Sequence, residues 1–264
     1  MVTDQLMGNA SSIAFRVTGW AAWAPGLETA EDWQAWARQP FAPTGEAMPA
    51  LEKVPAMQRR RIDRLGRAAI QTLDDCRLPQ DAGQPLVFVS RHGDVGRSYA
   101  LLEALGAQQS MSPTQFGLSV HNAIAALYSI VHGERANYTA LAGGCASVET
   151  ALVEAVGLLA DGAASVSLVV CDSQAPQAYT SFLDEPDAFF GFAWRLVADD
   201  AGAAAEAPGE RLSLHWDDAS TLPDQAADAD TLPNALAAHH FLLSGASRRR
   251  EQAEGVQWCW KRHA

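Results

Sequence analysis

Alternation and helical spacing of apolar residues divide this chain into a series of strands and helices. IAFRVTG (13–19) alternates and ends in glycine, which predicts a first strand, while TAEDWQAWAR (29–38) sets a capping threonine before two acids and predicts a short helix. A proline-spaced loop follows. In QRRRIDRLGRAAIQTLDD (58–75), Ile62, Leu65, Ala69 and Leu73 recur at helical spacing, with arginines assigned to the opposite, hydrated side. LVFVS (86–90) has the composition of a buried strand, and SPTQFGLSVHNAIAALYSIVHG reads as a loop entering a helix through Ala123 to Val131.

The pattern then tightens around LAGGCASVET (141–150), a Gly-Gly-Cys turn that leads into the helical run ALVEAVGLLA and the strand VSLVVC. Further on, FFGFAWRLVAD (189–199) and RLSLHW (211–216) read as strands, separated by AGAAAEAPGE, a small-residue surface loop. DDASTLPDQAADADTLPN reads as a solvated loop and NALAAHHFLLSG as a helix. VQWCWKRH reads as a last strand with Val256, Trp258 and Trp260 on one face. Strands alternating with helices predict an α/β fold: one mostly parallel sheet with helices on both faces. Residues 1–264 read as a single domain, with 200–264 an extension of it.

Charge removes several function classes. Nineteen basic residues against 31 acidic ones give a net charge of −12, which disfavours a nucleic-acid or anionic-membrane binder. The four cysteines stand apart, without CxxC or Cys/His spacing, so no metal and no cofactor are expected. No window approaches the ~20 apolar residues of a membrane span and no leader pattern precedes residue 15, so a cytoplasmic protein is expected. The one basic cluster, Arg59, Arg60, Arg61, Arg64 and Arg67, reads as a solvated helix face rather than an anion site.

Cys145 is the first candidate for chemistry. A helix N-terminus offers unpaired N–H groups and a positive dipole end, which favour a thiolate and any oxyanion beside it. The competing reading is a small residue fitted into a tight turn. Gly143 and Gly144 are expected to supply the strained or positive φ of a strand-to-helix elbow. His92, Asp94, His121 and Asn122 read as loop and helix-end residues that satisfy backbone groups, and only secondarily as acid–base candidates.

Taken together, VTGWAAWAPG, RIDRLGRAAI and above all SPTQFGLSVHNAIAALYSIVHGERANYTALAGGC (112–145) resemble the thiolase-like β-ketoacyl synthases, specifically their N-terminal half. In that register Cys145 falls at the nucleophile position. SRHGD (90–94) with SVHNA (119–123) is similar to the short chain length factors associated with aryl-polyene pigment synthesis. The resemblance implies a thiolase-like fold corresponding to the N-terminal half of a ketosynthase. It also implies a non-catalytic subunit that pairs with a catalytic β-ketoacyl synthase as a heterodimer, with acyl carrier protein docking through the partner. Phe116, Leu127 and Tyr128 are the residues it points to at the interface and the end of the acyl tunnel, with ordinary core packing as the competing reading. In the family this chain resembles, condensation uses two histidines besides the thiolate, carried in HGT-type and GH-type motifs, to support decarboxylation and the oxyanion. His239, His240 and His263 lie in AAHHFLL and KRHA, outside such motifs. Two other readings stay open: an acyltransferase or thioesterase-like enzyme acting through Cys145, and a homodimeric acyl-binding scaffold.

Overall fold

The computed structural model describes residues 11–199, 208–218 and 231–263. Its strands are β1 (Ser11–Trp23), β2 (Leu86–Val89), β3 (Tyr138–Leu141), β4 (Val166–Asp172), β5 (Phe190–Ala198), β6 (Glu210–Asp218), β7 (Arg248–Ala253) and β8 (Val256–His263). They form one sheet in the order β3-β2-β4-β5-β1-β6-β8-β7. The helices are α1 (Ala30–Trp36), α2 (Ala56–Arg59), α3 (Arg64–Cys76), α4 (Val95–Gly106), α5 (Pro113–Gly117), α6 (Ala123–His132), α7 (Ser147–Ala160) and α8 (Asn234–Ser244).

Strand alternation sends neighbouring residues into two cores. Val87 and Val89 of β2 join Trp33, Leu152, Ala155, Phe241 and the aromatic face of β5 beneath α1, α7 and α8. Leu86 and Phe88 point the other way, into the core formed with Leu65, Ile70 and Leu73 of α3 and Tyr128 of α6. Helices therefore cover both faces, as the alternating pattern predicts. Gly191 lets α3 approach β5 closely: a Cβ there would lie 3.0 Å from the carbonyl carbon and oxygen of Ala68.

The expectation of a mostly parallel sheet needs correction. Among the described residues only β2–β3 and β2–β4 pair in parallel, while β1–β5, β1–β6, β4–β5, β6–β8 and β7–β8 are antiparallel. Parallel pairing requires a crossover element, which α4 to α6 and then α7 provide. From β4 to β5 the chain passes only a short 3-10 turn at Gln177–Phe182, and β7 returns to β8 through a tight hairpin.

Local capping explains where several predicted elements begin. Thr29 and Asp32 form a reciprocal capping box at α1, with Thr29 Oγ1 accepting the Asp32 N–H at 3.1 Å. Asp63 caps α3 by accepting the Gly66 N–H at 2.8 Å, so Ile62 is buried ahead of the helix rather than within it.

The arginine ridge is also redistributed, contrary to the solvated-face expectation. Arg59 donates to the Ala50 carbonyl, Arg67 donates to the carbonyls of Pro49, Arg59 and Ile62, and Arg64 stacks 4.0 Å from the Phe189 ring centroid. These side chains hold the 49–63 segment in place, and only Arg60 and Arg61 are exposed. The AGAAAEAPGE loop, apart from its last residues, and most of DDASTLPDQAADADTLPN lie outside the described residues.

Candidate functional site

Leaving β3, the chain turns at Gly143 and Gly144 through a 3-10 turn, Gly144–Ala146, into α7. Gly144 has a φ of +57°, whereas Gly143 has a φ of −128° that any residue adopts. Gly143 is needed for space instead, since a Cβ there would lie 2.7 Å from Thr150 Oγ1. Ser147 ties the elbow together: its hydroxyl donates to the Gly144 carbonyl at 2.7 Å and accepts the Gly143 N–H at 3.0 Å.

Cys145 sits half-buried among carboxylates. Its thiol donates to Asp184 Oδ2 at 3.8 Å, its N–H donates to Glu254 Oε1 at 3.1 Å, and its carbonyl accepts from Asn234 Nδ2 at 2.6 Å. Burial and the Glu185 carboxylate, reinforced by Asp184 and only partly opposed by Arg91, push the thiol pKa up to about 12. The favourable helix end is therefore outweighed by burial and nearby negative charge, and the neutral thiol prevails at physiological pH.

Arg91 joins this cluster to the first signature motif. It bridges Asp184 and Glu185 at 2.7 and 2.8 Å. In SRHGD, Asp172 at the end of β4 accepts the Ser90 hydroxyl at 2.8 Å and the Arg91 N–H at 2.9 Å. Ser90 Oγ in turn accepts the Gly93 N–H at 2.9 Å.

SVHNA meets SRHGD directly, because His121 Nε2 donates to the Ser90 carbonyl at 2.8 Å. Gly93, at a φ of +61°, leaves room for that ring. Asp94 caps α4 through the Arg97 N–H at 2.9 Å and pairs with the Arg97 guanidinium, which also reaches Asp63. Burial together with the adjoining Asp63 carboxyl raises the Asp94 pKa to about 6. Asn122 is exposed at the start of α6 and makes no side-chain cap.

All seven histidines have locations that bear on the chemistry. His239 is buried among Trp20, Trp33 and Phe192, accepts from Trp194 Nε1 at 3.1 Å, and is held neutral by burial, which lowers its pKa to about 3. His240 contacts the Ala37 carbonyl at 2.9 Å, and His263 and His215 both contact Ser213 Oγ. His132 pairs with Asp74. His92 is exposed at the surface, but partial desolvation of its ring and the neighbouring Arg91 lower its pKa against the opposing pull of Asp184 and Glu185. Among the described residues, no histidine hydrogen-bonds to Cys145.

Phe116, Leu127 and Tyr128 are not gathered into one wall. Tyr128 is 4% exposed, packs on Phe88, and accepts from Arg77 at 3.4 Å, which makes it a core residue. Leu127 packs partly against the same core, while Phe116 on α5 is 61% exposed. A separate cleft of about 570 Å³ opens between α3, α4 and α5, lined by Leu65, Arg97, Leu101, Ala104, Met111 and Gln115 among others. Sequence reading missed it because the 95–106 segment was not recognised as helical.

The sequence matches the family described as β-ketoacyl synthase, N-terminal domain, over residues 33–261. The chain belongs to this family. Among solved structures, this β-ketoacyl synthase-family chain is similar to one from the complex of the ketosynthase ApeO with its chain length factor ApeC from Xenorhabdus doucetiae. The identity is 28% and the TM-score 0.78, with 95% of this chain and 100% of that chain covered.

The ishigamide ketosynthase/chain length factor is 17% identical with a TM-score of 0.59, covering 89% of this chain and 74% of that one. A chain of AntDE:AntF, a type II polyketide synthase acyl carrier protein in complex with its ketosynthase, is 14% identical with a TM-score of 0.60, covering 72% and 64%. These two share the fold. No curated protein matches the sequence. Among the described residues, no helix is long and apolar enough to cross a membrane, and no group of three or more His, Cys, Asp or Glu is placed to hold a metal ion.

Proposed function

We propose that this β-ketoacyl synthase-like chain is a non-catalytic chain length factor. It pairs with a catalytic β-ketoacyl synthase and limits the acyl tunnel of that partner in aryl-polyene biosynthesis. The observation that carries the reading is the setting of Cys145: its thiol faces Asp184 and Glu185, with a pKa raised to about 12 by burial and these acids. Condensation requires the opposite, a thiolate supported by positioned histidines. The same observation weighs against an acyltransferase or thioesterase acting through Cys145. The partner supplies the nucleophile, the histidines and the docking site for an acyl carrier protein.

The surface supports a partner subunit. None of the twelve residues of α4 is buried, and Leu102, Leu105, Met111, Phe116 and Val120 are exposed on α4, α5 and their flanks. Exposed apolar residues grouped in this way mark an interaction surface. The edges of the sheet differ as well: β7 carries RRRE, charges that discourage further pairing, whereas edge strand β3 reads YTAL.

The cleft beside α4 is the feature that would meet an acyl chain, with Leu101 and Met111 setting its volume. Reconstitution of the pathway with substituted chains tests the reading. Cys145→Ala should leave polyene formation intact, and Leu101→Trp should shorten the product, because close-packed tunnels respond to small volume changes. Loss of all product with Cys145→Ala in a folded, assembled complex would contradict the proposal.

A further inference from the structure

The hairpin between β7 and β8 holds a glutamate where the backbone disfavours one. Ala253 pairs with Val256, so the loop consists of Glu254 and Gly255 alone, and both have positive φ, +53° and +75°. Such two-residue turns are ordinarily Asn-Gly or Asp-Gly, and a left-handed backbone is strained for other residues. The longer side chain has a use here. Glu254 Oε1 accepts the N–H of Cys145 at 3.1 Å, across 109 residues of sequence. Gly144, at a φ of +57°, is shaped to admit it: a Cβ at that position would lie 1.9 Å from the same oxygen.

An N–H beside a cysteine at the start of a helix is where an acyl oxygen would be polarised during thioester exchange. In this chain a carboxylate already takes that N–H. We propose that Glu254 is a built-in occupant of the acyl-oxygen position, an inhibitory contact that keeps acyl groups off Cys145. This rests on the reading of Cys145 as idle in the native chain, and adds the residues that hold it idle. Two locks act separately. Burial, with Glu185 and Asp184, keeps the sulfur protonated, while Glu254 occupies the donor and repels any oxyanion that would form there.

The test exposes the full-length chain to the acetyl thioester of N-acetylcysteamine at mildly alkaline pH and follows acetyl-Cys145 by mass spectrometry, with Cys145→Ala as the blank. In the transfer, Cys145 Sγ bonds to the acetyl carbon, the bond from that carbon to the departing sulfur breaks, and the thiol proton ends on released N-acetylcysteamine. Glu254→Ala should acetylate about 100-fold faster than the unaltered chain, the scale of one freed oxyanion donor. Glu254→Asn suits the two-residue turn and is too short to reach the Cys145 N–H, so it should also react faster and keeps the test valid should the alanine variant fold poorly. Equal rates in the folded Asn variant and the unaltered chain would overturn the proposal. Rapid acetylation of the unaltered chain would instead count against the idle-cysteine reading, so the two failures are distinguishable.

Discussion

At Cys145, a helix N-terminus acts on the thiol in one direction, burial and a group of carboxylates act in the other, and burial with the carboxylates prevails. With the pKa raised to about 12, alkylation of Cys145 by iodoacetamide should be slow at neutral pH. It should climb about tenfold per pH unit through the alkaline range, because the reactive thiolate fraction grows that way below the pKa. A plateau near pH 8 would contradict this setting. The Gly-Gly-Cys elbow was legible from sequence, because the glycines, the cysteine and the helix are contiguous. Its neutralisation was not, since Asp184 and Glu254 arrive from 39 and 109 residues away.

Tyr128 and Phe116 illustrate the same divide. Both are aromatic residues on one apolar segment, yet one is core and the other surface. Phe116→Ala should change the stability of the isolated chain by less than about 0.5 kcal/mol and weaken pairing. Tyr128→Ala should cost about 3–5 kcal/mol in denaturant unfolding.

Among the elements, legibility followed burial. β1, β5, β6, β8, α1 and α8 carry the alternation or spacing that a sheet with covered faces imposes. Helix α4 escaped detection because it buries none of its residues in this chain, so no core face disciplines its sequence. β7 escaped because RRREQA offers no apolar alternation, and its register is set by the Glu254-Gly255 turn. The motifs SRHGD and SVHNA prove to be two halves of one joint, closed by the contact from His121 to Ser90. His121→Ala should therefore lower stability by about 1 kcal/mol, as expected for one hydrogen bond. Gly93→Ala should cost about 1–3 kcal/mol, since it meets both a φ of +61° and the His121 ring at 3.2 Å. Denaturant titration of both variants checks the pair, and an unaffected Gly93→Ala would argue that the loop is not held there.

For the whole molecule, the α/β pattern and helices on both faces were readable because strand and helix periods differ and each buried face repeats its period. Strand direction was not readable: a loop that merely reverses the chain and one that crosses over look alike until the helix between them is known, as between β4 and β5. The assembly is the larger claim. An apolar surface around α4 and α5 and an uncharged sheet edge at β3 support the proposed pairing with a second subunit.

The most direct measurement is the native mass of the tagged chain purified from its own cells, with co-purifying chains identified. The account predicts a one-to-one complex with a full-length β-ketoacyl synthase, weakened by Phe116→Ala. A stable monomer, or a homodimer without a ketosynthase, would contradict it.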